Sequence, residues 1–205
     1  MMRVLGRVTS INVRKVLWAL DELGERYERE DWGLPIRDPK VPEFLKLNPN
    51  GTVPVLIEDD GSVLWESNGI VTYLAQTRDR LLPQDRHALG LALQWLGWQA
   101  SELNAQWGYA VMGLLRKVPG YDDPQRIADS IARWTAKMDI LEAELAKDRT
   151  FIAGEDFSVA DIALGLSVHR WFMTPFEKKG MPAAFDYYRR LRSREAGARW
   201  MPDDY

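Results

Sequence analysis

The 205-residue chain has no cysteine, which removes disulfide scaffolds, thiolate metal sites, CxxC redox pairs and a cysteine nucleophile together. Any sulfur chemistry must therefore use a thiol that a ligand brings in. Histidine is almost as scarce. His87 and His169 stand far from other ligand-type residues along the chain, so no metal site is expected and both read as structural or surface residues. Long apolar runs are missing too: no stretch approaches the roughly 20 residues that would span a bilayer. The opening MMRVLGRVTS lacks the apolar block of a secretory signal, and a cytoplasmic protein is expected. Charge of one sign is not in excess. A net charge of −3 argues against the basic surface that nucleic acid or an anionic membrane demands, and neither is expected as a partner.

What is present divides into two parts. Hydrophobic residues make up 46% and charged residues 28% of the chain, an ordinary globular composition with enough length for one large domain or two modest ones. Arg3–Leu5 reads as a strand. After the polar turn GRVTSIN, the spacing of Val13, Val16, Leu17, Leu20 and Leu23 predicts a helix that starts at Val13 and stops at Gly24. RYEREDW (26–32) alternates weakly, as a second strand, and the proline-rich loop behind it precedes a short helical piece around PEFLKL. VPVLIE and SVLWE form a hairpin about Asp59-Asp60-Gly61, and SNGIVTYLA begins with a helix N-cap signal. From about residue 86 onward strand signals vanish, and helical patterns cover 86–117, 124–146, 158–173 and 183–193.

Three motifs in this order, TSINVRKV, NPNGTVPVL and WESNGIVTYLA, give the chain its likeness: over nearly its whole length it resembles the cytosolic glutathione transferase family, in its bacterial form. The resemblance implies an α/β thioredoxin-like N-terminal domain (βαβ-ββα) over 1–80, a linker over 81–86, and an all-helical domain over 87–205. It also implies glutathione as co-substrate, a homodimer, and a small hydrophobic electrophile or a peroxide as second substrate.

The motifs have a chemistry that suits that ligand. By resemblance Pro54 carries a cis bond to Val53, turning the Val53 main chain toward a peptide that adds like an extra strand; Asn50 and Thr52 flank this turn. Ser67, at a helix N-terminus, suits the γ-glutamyl carboxylate, and Glu66 suits the ammonium beside it. An N-cap role alone for Ser67 accounts for the same residue type. Ser10 stands where serine-type members place their catalytic hydroxyl, ahead of Arg14 and Val16. Asn12 competes with it, as an asparagine-type donor or simply as a helix cap, and Thr9 is a third candidate. With neither tyrosine nor cysteine in this turn, a serine- or asparagine-type site is expected. Lys40, with Arg37 nearby, is the candidate for the glycine carboxylate.

In the helical part, FSVADI (157–162) reads as a capping box in which Ser158 caps and Asp161 reaches back, a folding element. Trp107, Tyr109 and Met112 form, by resemblance, an apolar wall for the electrophile, and helical core packing explains them equally well. The expected activity is glutathione transfer without a covalent enzyme intermediate. A non-catalytic glutathione-binding module of the same fold, and a glutathione-dependent isomerase or dehalogenase, are the alternatives.

Overall fold

The computed structural model describes residues 1–147 and 149–203. The chain divides into two compact units, Met1–Leu82 and Pro83–Tyr205.

In the first unit β1 (Met2–Leu5), α1 (Ile11–Leu23) and β2 (Tyr27–Glu30) are followed by the one-turn α2 (Pro42–Leu45), then β3 (Val55–Ile57), β4 (Val63–Trp65) and α3 (Ser67–Thr77). The four strands form one sheet in the order β2-β1-β3-β4. β1 runs parallel to β2 and antiparallel to β3, and β3 is antiparallel to β4. A parallel pair needs a crossover, here α1, whereas β3 and β4 close through a tight hairpin in which Glu58 N–H donates to Ser62 O (2.9 Å). This is the βαβ-ββα arrangement expected. Val4 and Leu56 of the sheet, Val13, Val16, Leu17 and Leu20 of α1, and Ile70 and Leu74 of α3 are all buried. They form one apolar layer between the sheet and its helices.

Two elements of the first unit differ from expectation. α1 begins at Ile11, so Ser10, with extended backbone (φ −85°, ψ 121°), takes the cap position and Asn12 lies inside the first turn. The first apolar residue of the periodic pattern therefore falls two residues after the true start, because Ile11 and Asn12 complete the turn that the cap opens. The second strand is shorter than 26–32, since the chain leaves the sheet after Glu30. Trp32 instead inserts beside Phe44 (ring centroids 4.8 Å apart) in a cluster with Leu5 and Val55, under the Arg37 guanidinium.

The second unit holds α4 (Arg86–Trp98), α5 (Asn104–Ala110), α6 (Pro124–Leu145), α7 (Val159–Met173), α8 (Pro182–Arg192) and the short α9 (Glu195–Trp200). Asp85 and Asp123 cap α4 and α6 through their carboxylates. The run expected as one helix over 86–117 is interrupted by wider π turns at Gln99–Leu103 and Val111–Leu115. Gln99 explains the first. Its side chain is fully buried and must be satisfied, and it donates to Ser167 Oγ on α7 (2.9 Å) and to Asn104 Oδ1 (3.0 Å). Residues five apart come into line in a π turn but not in an α turn.

α7 is the buried spine of this unit. Trp134 of α6 sits edge-on to Trp171 of α7 at 4.9 Å. The capping box at its start closes as expected and does more than cap. Asp161, fully buried, accepts hydrogen bonds from Ser158 N–H (2.8 Å), Ser158 Oγ–H (2.9 Å), Ile152 N–H (2.9 Å) and the Tyr187 hydroxyl on α8 (2.8 Å). Burial pushes the Asp161 carboxyl above its ordinary range while these donors pull it down. Burial and the neighbouring Asp161 raise the Tyr187 hydroxyl well above its usual value, which keeps it a proton donor.

Candidate active site

Strand register decides where the motif residues of the first unit meet. Leu5 pairs with Glu30 on one side and Val55 on the other, and Val55 pairs with Trp65. These residues form a row across one end of the sheet. The turn that leaves β1 toward Ser10, the Val53-Pro54 segment that enters β3, and the Glu66-Ser67 segment that leaves β4 therefore all emerge at that end.

The turn after β1 is tight and held. A Cβ on Gly6 would lie 2.4 Å from a Val13 methyl, so only glycine lets the strand exit lie against α1. Arg14 Nε donates back to Val8 O (2.7 Å), and Ser10 N–H donates to Arg7 O (3.1 Å). Ser10 is half-buried at the cap position, yet its hydroxyl makes no capping bond. A capping serine ordinarily contributes about 1 kcal/mol through that bond; here the hydroxyl makes no hydrogen bond to any described residue. Thr9 is exposed and its Oγ1 accepts from the Arg7 guanidinium (3.0 Å). Asn12 turns its Oδ1 inward, where it is buried without a hydrogen-bond partner among the described residues.

The second segment is built around a residue that the motifs did not single out. Asn48 is buried, donates through Nδ2 to Thr52 O (2.8 Å), and accepts at Oδ1 from Asn50 N–H (3.0 Å) and Asn50 Nδ2 (2.9 Å). It fixes the turn ahead of Val53-Pro54, whose peptide bond is cis as expected. Pro54 is buried and Val53 half-buried; neither the N–H nor the C=O of Val53 is paired with any described residue. Lys40, exposed, donates through Nζ to Asn50 O (2.7 Å) and so lies across this turn. Arg37 is turned to Trp32 and to Glu43 (3.2 Å) instead.

In the third segment Glu66 is an exposed non-glycine residue at φ +71°, ψ 106°, a conformation that costs on the order of 1–3 kcal/mol and that functional sites retain. Ser67 opens α3 and is 6% exposed. Beneath it lies Lys15 of α1, 1% exposed, with Nζ 2.8 Å from Asn68 Oδ1 and 3.4 Å from Ser67 Oγ. The signal in the sequence is a lysine whose neighbours at helical spacing, Ile11, Trp18 and Ala19, are apolar, so the side of α1 opposite Val13 and Leu20 is not a solvated face.

In the second unit Trp107 is 5% exposed and packs on Trp134 (5.4 Å between centroids), a core position. Tyr109 and Met112 are half-buried, and the Tyr109 hydroxyl donates to Gly120 O at 3.3 Å. His87 is exposed at the start of α4; His169 is buried with Nδ1 3.0 Å from the Tyr188 hydroxyl. Among the described residues no group of three or more acidic or histidine side chains is arranged to hold a metal ion, and no helix is long and apolar enough to cross a membrane.

Comparison with known proteins fits this architecture. The family model for the glutathione S-transferase N-terminal domain matches residues 9–77, and that for the C-terminal domain matches 124–190. The chain belongs to the glutathione S-transferase family. It is 35% identical over 199 residues to glutathione S-transferase GstB of Escherichia coli K12, covering 96% of this chain and 95% of that protein. It is 30% identical over 164 residues to the E. coli disulfide-bond oxidoreductase YfcG, covering 76% of this chain and 74% of the other. Among solved structures, a theta-class glutathione S-transferase from Xanthomonas axonopodis pv. citri with glutathione bound superposes with a TM-score of 0.91 at 34% identity, over 98% of this chain and 96% of that one. The first unit thus carries the family's N-terminal domain, and the three segments that meet at one sheet end lie wholly within it.

Proposed function

We propose that this glutathione S-transferase binds glutathione at the sheet end formed by Ser10, Val53-Pro54 and Glu66-Ser67, and activates its thiol there. The observation that carries the reading is the unspent hydrogen-bonding capacity at that end, where among the described residues neither the cap-position Ser10 hydroxyl nor the Val53 main chain has a partner. The cysteinyl unit of the tripeptide adds to Val53 like an extra strand. Its γ-glutamyl carboxylate meets Ser67 and the N-terminus of α3, where the helix dipole favours an anion, and its ammonium meets Glu66. Thr52 borders the cysteinyl unit, and Lys40 faces the glycine carboxylate.

The thiol is the chemical problem. A free thiol has a pKa of about 8.5, so bringing it to about 6.5 requires roughly 2.7 kcal/mol of preferential stabilisation of the thiolate. The Ser10 hydroxyl and the positive end of α1 are the donors for that sulfur. The thiolate then attacks an electrophilic carbon or a peroxide oxygen; the sulfur bond forms as the leaving group departs with its electron pair, and no covalent bond to the protein is made. We further read the protein as a cytoplasmic homodimer.

Retention on immobilised glutathione, together with an ultraviolet thiolate titration of the complex, tests this. Retention with a thiol pKa lowered by about two units is expected; retention with an unshifted thiol would make the protein a binding module. Lys40→Met is expected to weaken glutathione about fivefold and leave γ-glutamylcysteine, which lacks the glycine carboxylate, unaffected in a calorimetric titration. The likeness to YfcG favours one second reading, glutathione-dependent disulfide reduction, in which every reacting sulfur comes from ligands because the chain has none of its own in cysteine.

A further inference from the structure

Lys15 is the residue that the proposed chemistry does not use. It is 1% exposed, on the α1 face that packs along α3, and its ammonium lies 2.8 Å from Asn68 Oδ1 and 3.4 Å from Ser67 Oγ. Two physical facts make this placement unusual. A long, strongly hydrated cation is rarely buried to this degree. It also stands at the N-terminal end of α3, where the helix already presents positive charge and a cation is the wrong sign for helix stability. Both charges act in the same direction on whatever approaches Ser67 from outside.

The hydrogen-bond directions matter as much as the charge. An ammonium only donates, so Ser67 Oγ can only accept from Lys15. The Ser67 proton must then go to another acceptor. Asn68 Oδ1 is likewise held by Lys15, which fixes the side chain next to Ser67.

We infer that Lys15 is a positioning residue that sets the specificity of this site for a ligand with a carboxylate at its γ-glutamyl end, by orienting the Ser67 hydroxyl outward as a donor and adding positive charge behind it. This rests on the glutathione reading above and adds a residue to it. Neutral or cationic groups in place of that carboxylate are selected against.

The test compares two ligands on three proteins by calorimetry: glutathione, and γ-aminobutyryl-cysteinylglycine, which differs only in lacking the γ-glutamyl carboxylate. Wild type is expected to prefer glutathione by about a hundredfold, and Lys15→Met to reduce that preference about tenfold. A merely structural lysine would weaken both ligands alike and leave the ratio untouched, which overturns the inference. Lys15→Gln keeps a donor without the charge and guards against misfolding of the methionine variant; its ratio is expected to fall about threefold or more, and an unchanged ratio in this variant also overturns the inference. If wild type binds neither ligand, the glutathione reading itself fails and the inference falls with it; wild-type binding without loss of preference in the variants condemns the inference alone.

Discussion

Ser10→Ala lowers turnover with glutathione by up to about 20-fold near pH 7 and less than about twofold near pH 9, with a melting temperature within about a degree of wild type. The pH dependence follows from the ionised fraction. With the bound thiol at about 6.5 most of it is thiolate near neutrality, and with the thiol returned to about 8.5 only a few per cent is, which sets the upper bound; the share of the stabilisation that the α1 end keeps makes the loss smaller. Raising the pH through the higher value restores the thiolate without the serine, so the deficit shrinks. Stability is spared because the hydroxyl caps nothing and bonds to no described residue, so its loss orphans no partner. Asn12→Ala is the necessary companion. Its Oδ1 is already buried without a partner among the described residues, and its removal is expected to cost less activity than that of Ser10 at every pH. Collapse of turnover in the Asn12 variant alone would move the thiolate donor to Asn12.

Asp161→Ala produces the largest loss of stability, about 4 kcal/mol, or a melting temperature lower by roughly 12 °C. The carboxylate gathers four donors from three places: Ser158 beside it, Ile152 in the preceding loop, and Tyr187 on α8. Alanine removes every acceptor at once and leaves two backbone N–H groups, a serine hydroxyl and a tyrosine hydroxyl buried and unsatisfied, each worth about 1–3 kcal/mol when water cannot replace the partner. Relaxation recovers part of that sum. Tyr187→Phe separates the contributions: it removes one donor and its acceptor need together, and is expected to cost about 1 kcal/mol in thermal or urea unfolding. Glutathione affinity measured below the transition is expected to be unaffected in both variants, because all four partners lie in the second unit.

These two residues also mark how far the sequence could be read. Asp161 was legible as half of a capping box because Ser158 and Asp161 are three apart on one turn. Its bonds to Ile152 and Tyr187 were not, since they depend on tertiary approach. Ser10, Val53-Pro54 and Glu66-Ser67 were legible through motif order, and the strand register explains why they meet, but Ser10 as the cap rested on where α1 begins. Asn12 has the stronger look of a cap, and only the backbone at Ser10 decides against it. Asn48 escaped because it holds a turn whose closure no periodicity announces, and the contacts of Lys15 with Ser67 and Asn68 did because those partners are distant in sequence. The π turns were invisible for a similar reason: helical spacing in 86–117 records which residues face the core, and says nothing of the buried Gln99 amide whose bonds widen the helix.

A crystal structure of the protein with glutathione bears most directly on the central claim, that the ligand's sulfur is made anionic at the exit of β1. The account predicts the sulfur within hydrogen-bond reach of Ser10 Oγ, with the cysteinyl main chain paired to Val53. A tripeptide bound with its sulfur directed away from residues 9–12, or bound elsewhere on the chain, would contradict it.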